Sequence, residues 1–378
     1  MKIDNRGLPL SVLIAPDKFK GTLTAEQAAK AIARGWKTAR PKDHLTELPI
    51  SDGGDGFGPL LAHSFGANSQ SAPTRNAAGQ PIKGLYWVTS NETALVESAN
   101  IIGLAMLPES HHRPLQNDSA GVGIILRHVE AQGTNRCIIG IGGSATNDGG
   151  FGVARELGWL FLDRHSQEIL QWPNLVELTK IVPPQRTLSM AVTVAVDVLN
   201  PLLGPNGCTR VYAPQKGLKN EEIEGAEAAL ARLAEVWEIQ MNKDAASLAG
   251  AGAAGGLGFG LHCFARAEIR SGFEIFAEAA ELDTLLCETD LVVTGEGAMD
   301  RQTVMGKGVG QLAQRAGAHD CQCIGLAGMV EDRPALSDRF AACYALNEIA
   351  GKDEAHNNAA HWLEKIAHQS AEVISELT

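Results

Sequence analysis

RCIIGIGGSATNDGGFG, spanning Arg136–Gly152, is the stretch on which the fold turns. It opens with a short isoleucine-rich run, Cys137–Ile141, whose length and composition match a buried strand. The run breaks into Gly142-Gly143-Ser144, and a periodic segment with Phe151, Ala154 and Leu157 on one face follows. Strand, glycine turn, helix is the expected unit. Unpaired N–H groups at such a turn can hold an anion without a charged side chain. Ser144, Thr146, Asn147 and Asp148 set hydroxyl, amide and carboxylate groups beside it. Gly140-x-Gly142-x-x-Ala145 also fits the dinucleotide pattern G-x-G-x-x-G/A, although short glycine patterns arise by chance.

Outward from that unit, the first seventy residues have a strand–helix–strand rhythm. Leu10–Ala15 is an apolar run that ends at Pro16-Asp17. Thr24-x-x-Gln27 matches a capping box before a helix with Ala28, Ala29, Ile32 and Trp36 on one face. Leu45–Ile50 is a second strand, ending in SDGGDG, Ser51–Gly56. From about Ser71 the texture changes, with frequent Pro, Asn, Gly and Gln. Met190–Val196 is a strand ending at Asp197, and Ala249–Gly260 is a second glycine-rich loop. The βαβ rhythm returns near Asp290, with DLVVT running into Gly295-Glu296-Gly297-Ala298-Met299-Asp300. In open α/β proteins, ligands bind where strand ends deliver loops of this kind.

The 378 residues suffice for two to three domains. A net charge of −12 argues against a nucleic-acid partner. No stretch approaches the ~20 apolar residues of a membrane span. The start of the chain carries no signal-like apolar run before Pro16, so a cytoplasmic setting is expected. The seven cysteines are scattered without zinc spacing, and they are expected to be buried, reduced thiols. The sequence leaves the oligomeric state open.

Strand-end loops combine glycine with acids (Asp52, Asp55, Asp148, Asp197, Glu296, Asp300), and Lys20, Lys216 and Lys307 lie in similar loops. Backbone N–H groups and lysines hold phosphates, carboxylates hold Mg²⁺, and one carboxylate accepts the proton of an attacking hydroxyl, so these parts suit phosphoryl transfer. The G-x-x-x-x-G-K-[ST] nucleotide motif does not occur, nor do H-R-D, D-F-G, G-x-S-x-G or H-E-x-x-H.

The ordered set APDKFKG (Ala15–Gly21), SDGGDG (Ser51–Gly56), GIGGSATNDGG (Gly140–Gly150), DVLNPL (Asp197–Leu202), PQKG (Pro214–Gly217), GAGAAGG (Gly250–Gly256) and TGEGAMDRQT…GKG (Thr294–Gly308) resembles the type-1 glycerate kinases. The chain departs from that family's usual pattern at Lys18, Phe57, Leu199 and Ala298. The resemblance implies two α/β domains. A Rossmann-like parallel-sheet domain would be formed by both chain ends, residues 1–70 and 285–378, with a second α/β domain, 71–284, inserted into it. The active site would lie in the interdomain cleft. The implied activity is ATP- and Mg²⁺-dependent phosphorylation of D-glycerate to 2-phosphoglycerate. Phosphorylation at the 3-hydroxyl, or of a related hydroxy acid, is the alternative. A dinucleotide-binding oxidoreductase, with Asp163 as the ribose-binding acid, and a non-catalytic acid receptor are the other readings of the residues.

On the kinase reading, Asp197 is the first choice of general base and Asp52 the second, with Lys20 also catalytic. Gly142, Gly143, Ser144, Asn147, Gly255, Gly256 and Lys307 are expected to meet nucleotide and phosphate. Asp17, Lys20, Ser51, Gly53, Gly54 and Lys216 are expected to meet substrate, and Asp148, Glu296 and Asp300 the metal.

Overall fold

The computed structural model describes residues 8–19, 21–51, 54, 56–304 and 308–376. Its contacts divide the chain into two units, residues 1–52 with 276–378, and residues 53–275. In chain order the first strands are β1 (Ser11–Ile14), β2 (His44–Glu47), β3 (Asn68–Arg75), β4 (Pro81–Val88), β5 (Thr93–Glu97) and β6 (Arg136–Gly140). There follow β7 (Leu160–Asp163), β8 (Leu178–Val182), β9 (Ala191–Val196), β10 (Glu268–Ser271), β11 (Leu291–Met299), β12 (Gln322–Val330) and β13 (Ala342–Ala345).

The unit built from the chain ends holds a parallel sheet in the order β2-β1-β11-β12-β13. Its central strands β1, β11 and β12 are largely apolar and buried, as a sheet covered by helices requires, while the edge strand β2, with sequence HLTE, is mostly exposed. Leu10, Val12, Ile14, Leu291, Val293, Ile324 and Leu326 join Trp36, Leu363 and Ile366 in one core. The helix Ala25–Ala39 begins in the expected capping box: Thr24 Oγ1 accepts the Gln27 N–H, and Gln27 Oε1 accepts the Thr24 N–H. It crosses the helix Ala359–Glu376 at Gly35, where a Cβ would stand 2.0 Å from the Glu364 carbonyl oxygen. The strand order reverses between β1 and β11, which makes their C-terminal ends the switch point of a doubly wound sheet.

Strand β11 is longer than its sequence suggests. The glycines after Thr294 look like a turn, yet pairing with β12 continues to Met299↔Val330. A Cβ at Gly295 would lie 1.8 Å from the Leu326 carbonyl oxygen, so glycine there permits close strand approach. Glu296 therefore projects from a strand.

The unit of residues 53–275 holds a six-stranded sheet in the order β10-β9-β6-β5-β4-β3. The first four run parallel, and β4 and β3 are antiparallel additions. β7 and β8 form a separate antiparallel pair. Its core gathers Ile139, Val194, Phe151, Leu230 and Phe259, with an aromatic group of Trp159, Phe161, Trp237 and Phe264. The contact boundaries fall at 52/53 and 275/276, where 70/71 and 284/285 were expected. The first difference has a local cause. The helix Phe57–Ser64 packs on β4 and β5, with Gly58 so close to Trp87 that a Cβ would lie 2.5 Å from the indole ring. Among the described residues no helix is long and apolar enough to cross a membrane.

Candidate active site

In the 53–275 unit, β5, β6 and β9 end side by side, with Glu97 in register with Gly140 and Gly140 with Ala195. After β6 the chain does not enter a helix at once. Residues 141–150 form a long loop, and the helix Phe151–Glu156 begins only beyond it. A dinucleotide turn opens its helix directly, so the G-x-G-x-x-A match at Gly140 lacks its structural context. Asp163 sits in the β7–β8 hairpin with its Oδ1 accepting the His165 and Gln167 N–H groups, away from the end of any strand of the main sheet. Neither position suits a dinucleotide-binding oxidoreductase.

The loop is fastened from several sides. The Ala145 N–H donates to the Ile102 carbonyl at 2.8 Å, and the Leu104 N–H to the Gly143 carbonyl at 2.9 Å. Gly143 is exposed with φ +71°, and Gly142 is half-buried. Behind them Lys216, only 3% exposed, donates from Nζ to Ser144 Oγ at 3.0 Å and to the Thr146 carbonyl at 2.7 Å. Ser144 Oγ in turn donates to the Ala254 carbonyl at 3.0 Å. Burial lowers the Lys216 ammonium to about 8, against an upward pull from Cys208 and Asp148. Asn147 is buried and donates from Nδ2 to Thr209 Oγ1 at 3.1 Å. Its Oδ1 and the hydroxyl of Thr146 have no hydrogen-bond partner in the structure. Such orphans each cost about 1–3 kcal/mol unless something fills them.

Asp148 has a different task from the one expected. It is fully buried. Its Oδ2 accepts from Ser119 N, Ser119 Oγ and Gly152 N at 2.9, 2.7 and 2.9 Å, and its Oδ1 from Gly150 N at 3.1 Å. A carboxylate engaged on both oxygens by internal donors ties the loop to the helix Ala120–Ala131 and is not disposed as a metal ligand. Gly255 and Gly256 are likewise reassigned. Together with Ala254 they are left-handed, at φ 57°, 72° and 83°, and both glycines are buried. A Cβ on Gly255 would lie 2.0 Å from the Thr146 carbonyl oxygen, and one on Gly256 2.8 Å from Gly149 Cα. The two glycine-rich stretches thus lock together backbone to backbone, and these glycines are spacers.

Asp197 is exposed just beyond β9. Near it Tyr212 donates its hydroxyl to Asn200 Oδ1 at 2.7 Å; burial, and then the charge of Asp197, push that phenol up. Glu97, at the end of β5, had no role in the sequence-based set. It is 4% exposed, and its Oε1 accepts the Gly56 N–H at 2.7 Å while its Oε2 accepts from Asn100 Nδ2 at 3.2 Å. The signal was an acid closing an apolar strand. Gly54 is buried, and its carbonyl accepts the Phe57 N–H at 3.1 Å.

In the other unit, the switch point joins two expected residues. The Asp17 N–H donates to the Gly295 carbonyl at 2.8 Å, one residue from Glu296, and Thr294 Oγ1 donates to the Ala15 carbonyl at 2.6 Å. Glu296 is 8% exposed, and its Oε1 accepts from Thr303 Oγ1 at 2.7 Å. Asp300 Oδ1 accepts the N–H groups of Gln302 and Thr303, capping the short helix Arg301–Val304. Ser51 is buried. Lys20, Asp52, Gly53 and Lys307 lie outside the described residues. Among the described residues no group of three or more His, Cys, Asp or Glu side chains could hold a metal ion.

Known proteins match this arrangement along almost its full length. The family model described as "Glycerate kinase family" matches residues 12–375. Glycerate kinase of Bacillus subtilis strain 168 is 33% identical, covering 96% of this chain and 97% of its own. Glycerate 2-kinase of Escherichia coli K12 is 34% identical, covering 93% and 94%. A crystal structure assigned as a glycerate kinase 2 from Salmonella typhimurium LT2 superposes with a TM-score of 0.81 at 32% identity, covering 98% of this chain and 99% of that one. With two α/β units and the glycine loops in their expected order, this chain belongs to the glycerate kinase family.

Proposed function

We propose that the protein transfers the γ-phosphoryl group of ATP to the 2-hydroxyl of D-glycerate. The observation that carries this is the pairing of an exposed glycine turn, Gly142-Gly143, with a buried lysine ammonium directly behind it. The turn offers N–H groups to an anion, and Lys216 supplies a positive field from a site where water does not screen it. Lys216 acts on phosphate or on the glycerate carboxylate through this field and through Ser144, which it holds in place. Asn147 Oδ1 is an acceptor awaiting a donor. Asp197 accepts the proton of the attacking hydroxyl as the oxygen–phosphorus bond forms. Asp17, Ser51 and Gly54 remain candidates for binding glycerate, and Lys20, Asp52, Gly53 and Lys307 keep the roles expected of them.

Mg²⁺ in kinase sites is held by one or two carboxylates, phosphate oxygens and water. Glu296 and Asp300 are the candidates kept for it, and Asp148 is not. The ion would neutralise charge on the phosphoryl oxygens. The free thiols suit a reducing, cytoplasmic setting.

The test is a coupled ADP-release assay over a panel of small hydroxy acids, followed by phosphorus NMR of the product. ADP release that needs D-glycerate, and a phosphate coupled to the C2 proton, are expected. A phosphate on C3 would move the reaction to the other hydroxyl, and ADP release indifferent to glycerate would overturn the proposal.

A further inference from the structure

The cysteines do not share one environment. Cys137, Cys208, Cys263, Cys321 and Cys323 are buried, and Cys343 is half-buried. Burial pushes the thiols of Cys137 and Cys208 up to about 12 and those of Cys321 and Cys343 to about 11, and raises Cys263 and Cys323 as well. The expectation of uniformly buried thiols fails at Cys287, which is exposed at the end of the helix Leu282–Cys287. Its Sγ lies 3.6 Å from His319 Nδ1. The other nitrogen of that ring, Nε2, lies 3.1 Å from Asp283 Oδ1. Asp283 is itself gripped by Arg315, with Nε and Nη2 at 2.7 and 2.8 Å from its two oxygens.

This order of groups has chemical content. A carboxylate on Nε2 fixes the proton there and leaves the Nδ1 lone pair toward the thiol. The Arg315 fork, followed by the His319 bond, holds the Asp283 carboxyl down at about 2, so it stays ionised and keeps the ring in that tautomer. Nucleophile, base and orienting acid stand in the sequence that activates a thiol elsewhere in protein chemistry. Activation falls to His319, whose Nδ1 faces the sulfur.

We propose that Cys287 is a site of thiol–disulfide exchange, with His319 as its base and Asp283 and Arg315 as the groups that position His319. The class of reactant is a small disulfide. The thiol proton passes to His319 Nδ1, and Sγ attacks one sulfur of the disulfide. A new S–S bond forms as the old one breaks, and the departing thiolate takes up the proton. Cys287 is oxidised to a mixed disulfide, and the other half of the reactant is reduced to a thiol. This site is independent of the proposed phosphoryl transfer.

The protein is treated with oxidised glutathione and, separately, with 5,5′-dithiobis(2-nitrobenzoate), between pH 6 and 9. Adducts are followed by intact mass and located by peptide mapping. One adduct per chain at Cys287 is expected, forming about tenfold faster at pH 7 than with the same thiol in the urea-unfolded chain. Cys287→Ser removes it. His319→Gln slows it about tenfold at pH 7 and moves the pH profile upward, while leaving Cys287 exposed. A folded-state rate equal to the unfolded one, an unchanged rate in His319→Gln, or first labelling at another cysteine overturns the proposal.

Discussion

Lys216 Nζ lies 2.7 Å from the carbonyl oxygen of Thr146 and 3.0 Å from the hydroxyl of Ser144, so both of its hydrogen-bond partners are neutral oxygens. A lysine held this way costs stability. Its folded value of about 8 lies below its ordinary 10.5, so the unfolded chain binds the proton more tightly. Stability contributed at this site is therefore lowest below pH 8 and rises as the pH climbs from about 8 to about 10.5. Replacing a buried charge by an apolar side chain of similar volume is often neutral or stabilising. Lys216→Met should leave the thermal midpoint equal or higher while kcat/KM falls ~10²-fold. A lower midpoint with kcat/KM unchanged would return Lys216 to a purely structural part. The wild-type rate should also decline above pH 8, as the ammonium is lost.

Asp148 should behave as a scaffold. Burial, the largest influence, raises its carboxyl, as does Asp118, while bonds from Gly152 and Ser119 oppose them. Its folded value exceeds the unfolded one, so its share of stability shrinks as pH rises through that interval. Asp148→Asn would turn an NH₂ group toward N–H and O–H donors. A loss of about 3 kcal/mol in urea unfolding is expected. The Mg²⁺ concentration needed for half-maximal rate should not move. Native stability with a raised Mg²⁺ requirement would restore the metal assignment.

Asp197 is exposed, so its removal should spare the fold. Asp197→Asn should reduce kcat by ~10²–10⁴, the usual contribution of a positioned base. Wild-type turnover in that variant would pass the role to another carboxylate.

Ala254 holds φ 57° and ψ 35°, a left-handed conformation that a Cβ disfavours. Ala254→Gly should stabilise the protein by about 0.5–1 kcal/mol, the relief of strain exceeding the added freedom of the unfolded chain. Differential scanning calorimetry reads the change. A destabilised variant would mean that the methyl group itself packs usefully there.

Much of the architecture can be read from runs of apolar residues and their terminators. Val12–Ile14, Ile138–Ile139 and Val192–Val196 are strands because nothing else suits short, buried, branched runs, and Thr24 with Gln27 announces its helix. What escaped were relationships over distance. Gly295 and Gly297 look like a turn until Leu326 is seen against the first and Gly328 against the second. Asp148 looks like a free carboxylate until Ser119, at the head of a helix 29 residues earlier, donates to it. Gly255 and Gly256 look like a second phosphate loop, but Thr146 and Gly149 occupy the space beside them. Glu97 passed as a strand terminus because the Gly56 N–H that it accepts lies 41 residues earlier.

The registry of β1 has a consequence for biosynthesis. Val12 sits against Leu45 on one side and Leu291 on the other. The six-stranded sheet, by contrast, is built wholly from strands between Asn68 and Ser271. As the polypeptide leaves the ribosome, that middle portion can complete its own ladder while β1 still shows one unsatisfied edge to solvent. The opening strand must then be kept from wrong partners until Leu291–Met299 has been made, and chaperone dependence should concentrate in β1.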